Sequence, residues 1–280
     1  MDEKKLLEYK RRGYLTPEDF EGSDREKLQA ALSLAAKEDI RKVLIGGELN
    51  LDGTVAIPAG MELKLLAGAR VRGSADPLFV NGVSLEPEKA SWSFEDKWIY
   101  LLGEGDSEIQ GNLAFFHAGN LVFEDLKIKG SVTFEFCREV RMERCEIASG
   151  QDSAVTLLRG CNNYIMQYNR ISAKKAAVLA DASLEKGPYV MGKDAEIHEL
   201  IIRENTLEGE AALFIGASEE SGVFNVQYDH TKSSGIGVVI GHEGENLDKK
   251  RYFNLTATDF EGTREEKLLR NEVKHCFFGE

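Results

Sequence analysis

Short apolar runs recur along most of this chain, separated by small and polar residues. Leu121-Val-Phe-Glu-Asp-Leu-Lys-Ile128, Val140–Ile147, Tyr164–Ile171 and Leu200–Leu207 share one pattern. Their ends fall 19, 24 and 36 residues apart, and the longest interval contains Leu184-Glu-Lys-Gly-Pro-Tyr-Val-Met-Gly192. A second type alternates with it: Ser131–Phe136, Ser153–Leu158, Ala176–Asp181, Ala211–Gly216 and Ile236–Gly241, whose starts are 22, 23, 35 and 25 residues apart. Runs of this length bounded by Gly, Asn and Ser predict strands. A repeat of 20–25 residues with more than one strand in it predicts an all-β, single-stranded, right-handed parallel β-helix. Leucine-rich repeats share the period but need an LxxLxL frame, which this chain lacks.

The first forty residues read differently. Ser23-Asp-Arg-Glu26 is a capping box opening an apolar helical stretch over Leu28–Ala36. A helix here caps the open end of the stack and hides its strand edges. The first strands are expected at Lys42–Ile45, Val55–Ile57, Met61–Leu66 and Arg70–Val71. One domain is expected: a helical cap over 1–40, coils over 41–262, and a closing segment over 263–280 with a helix at Thr263–Lys274.

Composition narrows the function. The 280 residues carry 35 basic and 48 acidic side chains, a net charge of −13. That balance argues against a nucleic-acid partner, which needs clustered Lys and Arg. No apolar run is long enough to span a membrane, and the N-terminus lacks a secretion-type apolar stretch. A soluble, cytoplasmic protein without a membrane partner is the expectation. The four cysteines have no CxxC spacing, so all are expected to be reduced, mostly buried and free of metal, with Cys137 and Cys161 stacked inside the solenoid. No cofactor is expected.

In a solenoid, residues one period apart become neighbours. Gln151-Asp152, Lys174-Lys175, Gly209-Glu210 and Ser233-Ser234 precede successive second-type strands, so they should line one exterior ridge. Asp152, Lys175 and Glu210 then form a column of alternating charge, for which a solvated charge ladder is the plainest account.

The stretch Gly209-Glu-Ala-Ala-Leu-Phe-Ile-Gly216-Ala-Ser-Glu-Glu-Ser-Gly222-Val-Phe-Asn-Val226 resembles glycoside hydrolase family 28, the polygalacturonase family. That family has Gly-His-Gly before an apolar run, then Ile-Gly-Ser-Glu and Ser-Gly-Gly-Val-Arg-Asn-Val. The likeness spans roughly residues 15 to 245 and is strongest over 209–226. It implies inverting hydrolysis of a glycosidic bond by paired carboxylic acids. This chain departs from the family's motifs at most positions. Asn-Thr-Asp becomes Gly150-Gln151-Asp152, the Asp-Asp pair falls on Lys174-Lys175, Gly-His-Gly on Gly209-Glu210-Ala211, and Arg-x-Lys on Gly237-Val238-Val239.

Four readings follow. The foremost is a catalytically degenerate member that keeps a groove for an oligo- or polysaccharide, with Lys174, Lys175, Ser234 and Tyr189 as binding residues. The second is a hydrolase with relocated acids, Asp152 and Glu210, two coils or about 10 Å apart. The third is a lyase in which Lys174 or Lys175 abstracts a proton next to a uronate carboxylate. The fourth is a structural solenoid that binds no sugar. The five histidines (117, 198, 230, 242 and 275) lie in different repeats without metal-ligand spacing. His230 and His242 flank Ile236–Gly241 as candidates for the groove border. Trp92, Trp98 and Tyr100 read as packing against the cap.

Overall fold

The computed structural model of the chain describes residues 3–82, 98–184, 195–218, 221–241, 251–263 and 277–278. Its strands are all parallel and wind into a right-handed β-helix with three faces per coil. The first face is a sheet of ten strands from Lys42–Ile45 to Phe277–Phe278. The second and third faces belong to one sixteen-stranded sheet, because Lys232–Ile240 runs through the corner and pairs with strands of both faces.

The eight-residue strands expected from the sequence are each two strands. Gly119–Glu124 and Lys127–Lys129 flank a bend, as do Arg138–Glu143 and Glu146–Ala148. The residue at the bend has a positive φ on six successive coils: Asp125, Arg144, Tyr168, Glu204, His230 and Asp259. The next side chain on each coil turns inward, which places Cys145, Asn169, Asn205 and Thr231 in the buried interior. Asn169 Oδ1 accepts from the Cys145 amide at 2.8 Å, and Asn205 Oδ1 from the Asn169 amide at 2.8 Å. Their Nδ2 groups donate to the carbonyls of Met142 and Met166, both at 2.9 Å. Each asparagine therefore answers backbone groups that the corner takes out of the strand ladders.

The rest of the core is apolar and stacked. Phe115, Phe123, Phe134 and Tyr164 form an aromatic column with centroid separations of 5.4 to 5.8 Å. Cys137 and Cys161 are buried one rung apart, and burial pushes the Cys161 thiol up to about 11. Burial likewise raises Cys145 to about 12, so these thiols pack as small apolar groups. The expected closing helix at Thr263–Lys274, together with Cys276, lies almost wholly outside the described residues.

Two helices precede the coils. Helix α2, Asp24–Lys37, starts at the capping box, where Ser23 and Glu26 bond reciprocally. It buries Leu28, Ala31, Leu32 and Ala35 over the first coil. Helix α1, Glu3–Arg11, was absent from the sequence expectation. It docks on the outside of the first face through Tyr9, with Tyr14, Leu44 and Leu66 in the same cluster. Leu15 then bridges Val43, covering the exposed edge of the first strand.

Glu104 anchors α1. It accepts from Tyr9 Oη at 2.6 Å, lies 3.0 Å from Lys64 Nζ, and pairs with Lys5. Burial pushes its carboxyl up, but the hydrogen bonds from Lys5, Tyr9 and Lys64 outweigh this and hold it down at about 2. A carboxylate so depressed stabilises docking in full above its ordinary value near 4.3, and the contribution fades as pH falls toward 2. Acidification from pH 5 to 2.5 is therefore expected to release α1, seen as loss of the near-ultraviolet circular dichroism of the Tyr9–Tyr14 edge-on pair. Glu104→Gln should show the same loss at neutral pH.

Candidate functional site

The third face and its two borders concentrate the polar chemistry. One border is the ridge predicted from the sequence. The Lys174 and Lys175 amides donate to the carbonyls of Gln151 and Asp152, and the amides of Ala211 and Ile236 donate to those of Lys175 and Glu210. Asp152, Lys175 and Glu210 thus occupy successive rungs of one corner. Lys175 Nζ lies 2.7 Å from Asp152 Oδ2, and both side chains are about two-thirds exposed. The hydrogen bond and charge of Asp152, with a smaller push from Glu210, raise the Lys175 pKa. Lys174 is exposed beside it. Ser234 Oγ accepts from the Gly209 amide at 3.2 Å and closes the turn of the coil before.

An exposed ion pair contributes little to stability, since water screens it and two long side chains must be held still. Lys175→Ala is accordingly expected to leave the urea midpoint unchanged.

The other border is the corner from the third face to the first. Seventeen residues separate Asn81 from Ile99 there, fifteen separate Asp181 from Ile197, and eleven separate Ile240 from Tyr252. Between the first two, the same corner is turned with two, two and four residues, after Phe116, Glu135 and Leu157. Long excursions from a regular scaffold are where solenoids usually carry binding residues, and these flank three tight coils. Tyr189, the aromatic residue expected to face the groove, and His242 lie outside the described residues, as do Trp92 and His275.

The floor between these borders was missed in the sequence reading. Outward positions of the third face carry Thr133, Glu135, Thr156 and Asp181, with Asn81, His117 and Arg159 at its ends, and all are buried. Glu135 follows Phe134, which is in register with Leu157, and Leu157 is in register with Ala180, which precedes Asp181. Glu135 and Asp181 therefore share a column two rungs apart. Asp181 Oδ1 accepts from the Ser183 amide at 2.9 Å and from its hydroxyl at 2.5 Å, and its carboxyl lies over Gly216. A β-carbon added at Gly216 would stand 2.7 Å from that carboxyl carbon, so the next coil is glycine where the aspartate needs space. The sequence signal that was available is a carboxylate closing each of two strands, Glu135 after Val132-Thr-Phe134 and Asp181 after Ala176–Ala180.

His230 sits at the corner between the first and second faces, with Nε2 3.0 Å from Asp259 Oδ2, a full face away from the third. Among the described residues no three His, Cys, Asp or Glu side chains cluster as metal ligands, and no helix is long and apolar enough to cross a membrane.

No protein-family model matches the sequence, and no curated protein sequence matches it. Solved structures do. A mutant tailspike protein of E. coli bacteriophage HK620, in complex with a pentasaccharide, superposes with a TM-score of 0.61 at 14% identity, over 96% of this chain and 53% of that one. The chain thus spans about half the length of the tailspike it matches. A hyperthermoactive exopolygalacturonase from Thermotoga maritima matches with a TM-score of 0.48 at 11% identity, over 89% of this chain and 80% of that one. The Streptococcus pneumoniae surface protein and adhesin PfbA gives 0.45 at 11% identity, over 95% and 100%. The class defined by fold is the right-handed parallel β-helix.

Proposed function

We propose that the protein binds an oligosaccharide along the third face, between the Asp152–Lys175–Glu210 ridge and the corner of long connections, and does not cleave it. The observation that carries this reading is the clustering of those connections at one corner around three tight coils with a polar floor. The tailspike of the same fold was solved with a pentasaccharide, and a stacked solenoid offers a repeating ligand a repeating surface. We assign sugar contacts to Lys174, Lys175, Ser234 and Tyr189, as in a degenerate relative of the polygalacturonases.

The argument against turnover is chemical. Inverting hydrolysis needs one protonated acid and one carboxylate activating water. On the ridge, Asp152 is tied to Lys175 in open solvent; beneath it, the Asp181 carboxylate is engaged by Ser183. A lyase base must be deprotonated, and the raised pKa of Lys175 works against that. The relocated-acid reading keeps one support, the two-rung separation of Asp152 and Glu210 on a single ridge.

The test incubates the protein with oligogalacturonides and neutral oligosaccharides. Binding, new reducing ends and the ultraviolet absorbance of an unsaturated uronate are followed together. Binding of the oligogalacturonide without either product, weakened in the Lys174→Ala/Lys175→Ala double variant, is the expected result. Reducing ends that disappear in Asp152→Asn and Glu210→Gln would establish the hydrolase instead, and absence of binding would leave a structural solenoid.

A further inference from the structure

The first face carries a second surface whose chemistry differs from that of the third. Its outside divides into three zones along the solenoid axis. Helix α1 covers the first coils. The middle coils hold an ionic network in which Arg144 pairs with Glu124, Asp125 and Glu143. On the coils beyond that, amides, hydroxyls and aromatic rings occupy most outward positions, with Glu199, Arg203 and Asp229 charged among them. A shallow groove of about 510 Å³ runs there, lined chiefly by Asn163, Glu199, Asn225, Gln227, Asn254 and Thr256.

The groove follows from a repeated backbone feature. The second or third residue of the first-face strand is left-handed on six coils, at Asn120, Glu139, Asn163, Glu199, Asn225 and Asn254, with φ between 54° and 60°. Register skips this residue each time: Asn162 pairs with His198 and Tyr164 with Leu200, and His198 pairs with Phe224 and Leu200 with Val226. Asparagine tolerates this conformation better than most residues, and three of the four positions along the groove use it. Asn254 Nδ2 donates to Asn225 Oδ1 at 2.9 Å, so neighbouring rungs are linked through their amides.

An aromatic row lies one residue earlier on the same coils. His198, Phe224 and Phe253 are in register. The rings of His198 and Phe224 stack at 5.0 Å with planes 19° apart, and Phe253 is 43% exposed. Flat rings beside a row of side-chain amides and hydroxyls match a pyranose, which presents C–H faces to aromatics and hydroxyls to amides. Among the described residues Glu199 is the one charged side chain of the groove lining, so that lining offers an anionic polymer no cation and costs an uncharged one nothing.

We infer that this groove is a second carbohydrate site, taking an uncharged oligosaccharide along the axis of the stack. The inference stands independently of the third-face reading, because it uses a different face and different residues. Maltohexaose, cellohexaose and hexagalacturonate are the probes, titrated by calorimetry against the full chain. At least one neutral hexasaccharide should bind. Phe224→Ala and Phe253→Ala should each weaken it about five- to tenfold, the loss of one aromatic stack. Asn225→Gly, which keeps the left-handed backbone, should weaken it as well. Lys174→Ala/Lys175→Ala should leave that affinity unchanged, and hexagalacturonate should not compete for the site. Thermal unfolding of each variant guards against loss of fold. Three results would overturn the site: no neutral probe binds; binding survives all three first-face variants; or the wild type sediments as a dimer that Phe253→Ala dissociates, which would make this face a contact between copies.

Discussion

Asn205→Leu is expected to lower the unfolding free energy by about 3–5 kcal/mol, the sum of the two buried backbone groups it strands. Leucine has the same branching and number of side-chain heavy atoms, so the shape is roughly kept while the polar function is lost. The Asn169 amide loses its acceptor and the Met166 carbonyl loses its donor, and both asparagines lie in the buried interior. The mutation also severs the side-chain link between Asn205 and Asn169 at 3.1 Å. The check is a urea titration, in which the midpoint should fall sharply while the slope is kept. Asn205→Asp should do nearly as much damage, because it keeps the acceptor but removes the donor and buries a charge. A loss below about 1 kcal/mol in both would mean that the corner is held by the surrounding strands and not by the asparagines.

Phe134→Ala is expected to cost about 3–5 kcal/mol, the usual range for emptying an aromatic from a packed core. Phe134 is fully buried and meets Phe115 at 5.8 Å, Phe123 at 5.6 Å and Tyr164 at 5.6 Å. Phe115 lies in register one rung before Phe134, Phe123 is in the first-face strand of its own coil, and Tyr164 is two first-face strands beyond Phe123, so the cavity falls between stacked rungs that backbone pairing holds at fixed spacing. Collapse cannot close it. Phe134→Leu, which refills most of the volume, should cost less than half as much. The same denaturant titration reads both, and equal losses would contradict a column packed ring against ring.

The solenoid was legible because apolar positions repeat. The ridge was legible for the same reason, and Asp152 and Lys175 meet as their spacing requires. The split of each long strand was not read, although the signal was present. Inward positions on one coil run Ala118, Leu121, Phe123, Leu126 and Ile128, and on another Ile197, Leu200, Ile202, Asn205 and Leu207. The steps are three, two, three and two. Each step of three marks a left-handed residue: Asn120 and Asp125 on the first coil, Glu199 and Glu204 on the other. An apolar count skips Asn205, since a buried asparagine looks like a break in the pattern until its role at the corner is known.

Helix α1 was missed for a different reason. Glu3–Arg11 is mostly polar, and it is held by Tyr9, whose ring lies under the Lys64 ammonium, and by the ion pair of Lys5 with Glu104, partners 55 and 99 residues further along the chain. No local pattern encodes such docking. The third-face floor also escaped notice, because the meaning of Glu135 and Asp181 depends on knowing which side of their strands faces out.

Paired spin labels test the stacking directly. Arg70 and Arg170 lie four rungs apart in one column of the second face, and Arg70 and Lys232 lie six apart. In a Cys276→Ser background, cysteines at these exposed positions carry the labels for pulsed dipolar spectroscopy. Distances centred near about 19 Å and 29 Å, rising by about 4.8 Å per coil, are the predicted result. Distances that fail to rise with coil number would contradict the stack, and with it both proposed sugar surfaces.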